Sequence, residues 1–127
     1  MDTSSPHATR LREIHDERAR LLKVLLQTDE LAVGTVQRVK RRCYNPRCGK
    51  CAGGPSHEQV MFLFSDGTRR TSAFVRRADE SRFEKAGANY RRFRDAVRAL
   101  RHLHKEELEL LGAMRDLRAI RPERREP

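Results

Sequence analysis

Three cysteines and a histidine fall in one short stretch, Cys43, Cys48, Cys51 and His57, spaced C-x4-C-x2-C-x5-H. Thiolates and a neutral imidazole are the donors that a tetrahedral zinc ion takes, and three cysteines with one histidine form an accepted structural set. Asn45-Pro46, Gly49 and Gly53-Gly54-Pro55 place turn formers between the donors, so a short segment can wrap them around one ion. The interval before His57 is looser than a two-residue loop, which makes the histidine the least constrained of the four. Two other readings stay open at this level. C-x4-C-x2-C also opens the plant-type ferredoxin pattern, but that cluster takes four cysteines and this chain has 3. The same residues also fit three reduced thiols with no metal. Zinc (Zn2+) held by Cys43, Cys48, Cys51 and His57 is the expectation carried forward.

The charge around those donors is one-sided. Between Leu31 and His57 stand Arg38, Lys40, Arg41, Arg42, Arg47 and Lys50, with no acid among them. A zinc ion with three thiolates and one neutral imidazole carries a charge of about −1, which offsets only part of that excess. The whole chain has a formal net charge of +10, a balance that favours polyanionic partners, nucleic acid first. The candidate phosphate contacts are those six residues, then Arg69 and Arg70 further on, and Arg91, Arg92 and Arg94 towards the C-terminus. Tyr44 is the one aromatic in the cysteine stretch that could stack on a base; covering the metal site is its alternative role. The residues do not distinguish DNA from RNA.

Catalysis is poorly supported by the same inventory. A catalytic zinc keeps an open position and a nearby group to move protons. Glu58 beside His57 is the only candidate for that group. No nucleophile motif, no phosphate-binding glycine loop and little apolar pocket material accompany it, so the expectation is a non-enzymatic protein without a small-molecule substrate.

The elements that must position these residues follow from periodicity. With 127 residues, 36% of them charged and 37% hydrophobic, one domain spanning residues 1–127 with narrow apolar seams is the natural reading. Residues 1–8 are polar and expected to be a disordered tail. A helix is expected over 9–28, where Leu11, Ile14, Leu21 and Leu25 form a stripe interrupted by Arg18. Residues 32–76 form a basic β insertion that carries the cysteine stretch. Thr35–Lys40 alternates as a half-buried strand does, Val60–Phe64 is the most apolar run, and Asp66-Gly67 marks a hairpin leading to a strand over Thr68–Val75. A long helix is expected over 79–120, with a seam through Tyr90, Phe93, Val97, Leu100, His104, Glu107, Leu111 and Met114. Gly87 invites a bend near its start. A charged tail fills 121–127.

Together these give an α+β fold: an elongated antiparallel helical hairpin with an inserted three-stranded antiparallel sheet and a zinc-knuckle-like loop. The C-terminal helix is about twice the length of the first, so a homodimer or a partner helix along it is expected. This supports an alternative function, a coiled-coil adapter whose zinc is purely structural. No apolar run approaches the roughly 20 residues that cross a bilayer, and the N-terminus lacks a signal-peptide core. Clustered cysteines without such a signal fit a reducing cytoplasm.

Gly34-Thr35-Val36, Cys43, Pro46, Cys48, Cys51-Ala52, Gly54, His57, Gly67-Thr68-Arg69 and Asn89-Tyr90-Arg91-Arg92-Phe93-Arg94 carry a resemblance that covers most of the chain beyond Leu31. The chain resembles a bacterial family of small proteins with a Cys-x4-Cys, Cys-Ala, Gly and His knuckle, a hairpin and a long C-terminal helix. It has one residue more than that pattern between the second and third cysteines, and Glu58-Gln59 in place of Gly-Pro-Tyr after the histidine. Members are often associated with mobile elements, so the resemblance implies an accessory that handles DNA or RNA. It transfers no catalytic residue.

Overall fold

Strand-forming residues and the turns between them build a small sheet within residues 28–93. The computed structural model describes residues 5–42, 45–55 and 57–123. In chain order it contains α1 (Pro6–Leu25), β1 (Thr35–Arg41), a 3-10 turn (Lys50–Gly53), β2 (His57–Asp66), β3 (Arg69–Phe74), a second 3-10 turn (Arg77–Asp79) and α2 (Glu80–Arg118). The sheet is antiparallel throughout, in the order β1-β2-β3. The fold is therefore mixed helix and strand, a three-stranded sheet with a long C-terminal helix. The chain divides into two units, Thr28–Phe93 and a second made of Met1–Gln27 with Arg94–Pro127.

In the Thr28–Phe93 unit, the register puts Val36 opposite Phe62 and Phe62 opposite Ala73. Side chains alternate across a strand, so Val36, Val60 and Phe62 share one face with Val75, whose N–H donates to the Val60 carbonyl at 2.9 Å. That face packs on the first turns of α2. Val60 is fully buried, Val75 and Ala86 nearly so, and the Phe62 ring lies 5.5 Å from that of Phe83 and 5.0 Å from that of Phe64. The segment before β1 is tied to the same helix: the Ala32 N–H donates to the Ala86 carbonyl, and buried Asn89 donates through Nδ2 to the Glu30 carbonyl. The Arg82 guanidinium bonds the Glu30 carboxylate and holds its pKa below the ordinary range.

The helix runs unbroken through Gly87. The role of that glycine is close approach: a Cβ there would sit 3.0 Å from both Cβ and Cγ2 of Val36. Alanine would gain about 1 kcal/mol of helix propensity against an overpacking cost of about 1–3 kcal/mol, and Val36 Cβ cannot yield without moving β1. Gly87→Ala should thus lower stability by about 1 kcal/mol in urea denaturation; a stabilised variant would show that contact to be slack.

The second unit pairs two seams that each contain one misfit. On α1, Leu11, Ile14, Leu21 and Leu25 are buried or half-buried, with Ile14 wholly enclosed. On α2, Ala96, Leu100, Leu103, Leu110 and Met114 form the corresponding stripe, with Ala96 and Leu103 buried. Arg18 interrupts the first and Glu107 the second, and these two meet, Arg18 Nη2 to Glu107 Oε1 at 2.9 Å. Arg10 adds a two-pronged bond to Glu106, at 2.6 and 2.8 Å, that holds the Glu106 pKa below the ordinary carboxylate range. Paired polar residues within apolar seams fix register.

The starts of α1 and β2 and the seam of α2 differ from expectation. α1 begins at Pro6, because proline at the first helical position costs no hydrogen bond and presets φ. The seam of α2 steps three residues from Leu100 to Leu103 instead of four to His104, leaving His104 and Leu111 exposed. The 3.6-residue helix drifts against a strict seven-residue repeat, and such a step restores an apolar residue to the buried side. β2 begins at His57, three residues before its apolar run, because Arg41, Lys40 and Val39 continue β1 and pair with His57, Glu58 and Gln59.

Candidate metal centre

Each donor is placed by a local device that the sequence supplies. Asn45 Oδ1 accepts from the Arg47 N–H at 3.0 Å, an Asx turn, and its carbonyl accepts from the Cys48 N–H at 3.1 Å. The Cys51 N–H then donates to the Cys48 carbonyl at 3.2 Å, closing the two-residue loop so that both thiols fall on one side. Gly54, with φ of 122°, occupies backbone space that L side chains rarely adopt and turns the chain from the 3-10 segment back to the sheet. His57 belongs to the ladder itself, opposite Arg41. Its ring is thus carried on a strand, and the long interval after Cys51 ends in a rigid support.

The geometry brings together three of the four expected ligands. The Sγ atoms of Cys48 and Cys51 and a ring nitrogen of His57 all lie within 4.8 Å of one another. Cys48 Sγ is 3.1 Å from His57 Nε2. Around one zinc, with bonds of about 2.0–2.3 Å at tetrahedral angles, neighbouring donor atoms stand roughly 3.5–3.8 Å apart. The cluster is therefore the right size to close on such an ion with small side-chain shifts. Cys51 is buried, and Cys48 and His57 are half-buried. Cys43, the fourth expected ligand, and Tyr44, the expected stacking residue, lie outside the described residues. Two thiolates and an imidazole suit zinc, and a third thiolate would complete a closed structural set.

The expected phosphate contacts divide by position. Arg42, Arg47 and Lys50 are exposed around the metal loop. Arg41 projects from the end of β1 with its guanidinium carbon 4.4 Å from the centre of the Phe74 ring. Arg38 and Lys40 lie on the opposite, helix-facing side, where Arg38 pairs with Glu58, Glu80 and Glu84; the Glu84 bond is the main cause of its raised pKa. Three carboxylates around one guanidinium leave Arg38 in a packing role between sheet and helix. Arg69 and Arg70 flank the β2–β3 turn on opposite faces. Arg91 and Arg92 are exposed on α2, where Arg92 donates to Asn89 Oδ1, and Arg94 neighbours Asp95 at 3.9 Å.

Phe74 is the residue that sequence reading passed over. It is 51% exposed at the end of β3, next to buried Val75, and only its pairing with Met61 shows which face it takes. The site and fold thus describe a mixed α/β protein with a candidate Cys-Cys-His metal centre at one end of a small sheet. No family model matches the chain, and no similar curated protein or solved structure is found.

Proposed function

We propose that this chain is a zinc-stabilised, basic nucleic-acid-binding accessory protein without catalytic activity, acting in a reducing cytoplasm. The observation that carries the reading is the convergence of Cys48, Cys51 and His57 within 4.8 Å, in a loop where Arg42, Arg47 and Lys50 are exposed. In this reading zinc, with Cys43 as its fourth ligand, rigidifies the loop so that its cations keep a fixed spacing. Fixed cations lose less side-chain and loop entropy on meeting phosphates than mobile ones. The resemblance to small bacterial proteins associated with mobile elements supports an accessory role. In this reading α1 and the C-terminal part of α2, linked by Arg18 to Glu107, pair as an antiparallel helical hairpin.

Salt dependence tests the reading. If Arg41, Arg42, Arg47, Lys50 and Arg70 each neutralise one phosphate, log K falls with log salt at a slope of about −3.5 to −4.5. Affinity for a fluorescent oligonucleotide should therefore drop on the order of a hundredfold between about 50 and 200 mM salt. A flat profile would remove phosphate contacts from the account.

The adapter reading rests on a different observation. Leu108 and Leu111 are exposed one turn apart on the distal part of α2, an apolar patch fit for a second copy or a partner helix. Analytical ultracentrifugation separates the two: a salt-resistant dimer lost on Leu111→Lys favours the adapter, and a monomer that binds oligonucleotide favours the first reading.

A further inference from the structure

The two faces of the sheet differ in charge. The face turned to α2 carries the carboxylates Glu58 and Asp66 and lies against Glu80 and Glu84 through Arg38. The outer face, among the described residues of the three strands, carries none. Its rows run from Arg41 beside His57, through Val39 and Gln59, Gln37, Met61 and Phe74, then Thr35, Leu63 and Ser72, to Ser65 beside Arg70. Arginines are thus rooted at both ends, the Arg41 guanidinium reaching along the face to lie over the exposed Phe74 ring near the middle, with amide and hydroxyl side chains between. Phe74 is 51% and Leu63 37% exposed. At the end of the sheet by Leu63, Arg70 and Ser72, a groove of about 540 Å³ runs round to Thr71 and to Tyr90 of α2.

Resting on the nucleic-acid reading above, we propose that this outer face is a stacking platform for a single-stranded nucleic acid, with Phe74 as the principal base contact. Charge sorts the occupants. An acid-free face with arginines at both ends complements a phosphate backbone, whereas a second copy of the same face would bring like charges together. Base stacking needs an exposed ring with a neighbour that tolerates a π-face. The Arg41 guanidinium over Phe74 already forms such a layer, because arginine planes and aromatic rings both receive unstacked bases. Gln37, Gln59 and Ser72 offer donors and acceptors to base edges. From the Arg41 row to the Arg70 row, the eight residue steps from His57 to Ser65 span roughly 26 Å, room for about four nucleotides, the lower end of single-strand site sizes. A duplex hides its base faces and would use the loop cations alone.

The native chain has no tryptophan, so Phe74→Trp places a single fluorophore at the site. Titration with short single-stranded RNA and DNA should quench it on saturation, with affinity within about threefold of wild type. Phe74→Ala, at an exposed position, should fold normally and weaken single-strand binding about ten- to hundredfold, as loss of one stacked base does. Its binding to a duplex of the same sequence should be unchanged. Unchanged single-strand affinity in Phe74→Ala, with no quenching of Phe74→Trp, overturns the platform while leaving nucleic-acid binding by the loop intact. No binding of any oligonucleotide by the wild-type chain overturns both readings. A dimer dissolved by Phe74→Ala assigns the face to a second copy and overturns the platform alone.

Discussion

Cys51→Ser should abolish metal binding and unfold the loop between β1 and β2 while the helices persist. Cys51 is the buried member of the donor cluster, 7% exposed, and serine offers a harder, protonated oxygen where zinc takes a thiolate. In small metal-dependent domains the binding energy is folding energy, on the order of 10–16 kcal/mol for structural zinc at neutral pH. Losing one ligand of that set forfeits most of it. Measured by inductively coupled plasma analysis, zinc should fall from about one per chain to below about a tenth. The far-ultraviolet circular dichroism should remain strongly helical, since α1 and α2 span 20 and 39 residues and neither includes a donor. The loop amides from 45 to 55 should lose hydrogen-exchange protection in the variant, and a strong chelator should reproduce that loss in the wild type. Full zinc occupancy in Cys51→Ser would remove this thiol from the site.

Gly34→Val should have the second largest effect, on the fold rather than the metal. Gly34 precedes β1 with φ of 156°, and a Cβ there would overlap the Leu63 carbonyl oxygen and lie 3.0 Å from Phe62 Cε2. The obstacle is backbone in the central strand, so no side-chain rotation relieves it. Accommodation requires β1 to peel from β2 at Thr35 and Val36, which pair with Leu63 and Phe62. The overpacking cost is about 3 kcal/mol or more, read as a fall in the denaturation midpoint of the sheet. Because Ile14 and Leu103 lie in the other unit, the helical signal of that unit should melt close to its wild-type temperature. A variant as stable as wild type would show that the approach of residue 34 to β2 is not needed.

Much of this architecture is written locally. The cysteine spacing announces a two-residue loop closed between Cys48 and Cys51, and Asp66-Gly67 announces a hairpin, realised with Gly67 at φ of 66°. The alternation of Thr35–Lys40 announces β1. What was not legible depends on pairing between distant segments. Nothing in His57-Glu58-Gln59 reads as strand until Arg41, Lys40 and Val39 stand opposite. Arg38 looks like one more cation of the basic stretch until the register turns it towards Glu80 and Glu84 on α2. Arg18 and Glu107 each look like a flaw in a stripe, and only together do they form a pair. Phe74 gave no sign of its exposure because strand parity fixes a face only once the neighbouring strand is known. The step from Leu100 to Leu103 was equally hidden, since His104 satisfies the heptad and Leu103 satisfies the packing.

The most direct test of the account is a native mass spectrum of the protein purified without added metal and without nuclease treatment. The account predicts a mass one zinc ion above that of the chain, the metal lost on acidification, together with nucleic acid that high salt strips away. A mass equal to that of the bare polypeptide at neutral pH, with all its cysteines open to thiol-specific alkylation, would contradict the metal centre on which the proposed function is built.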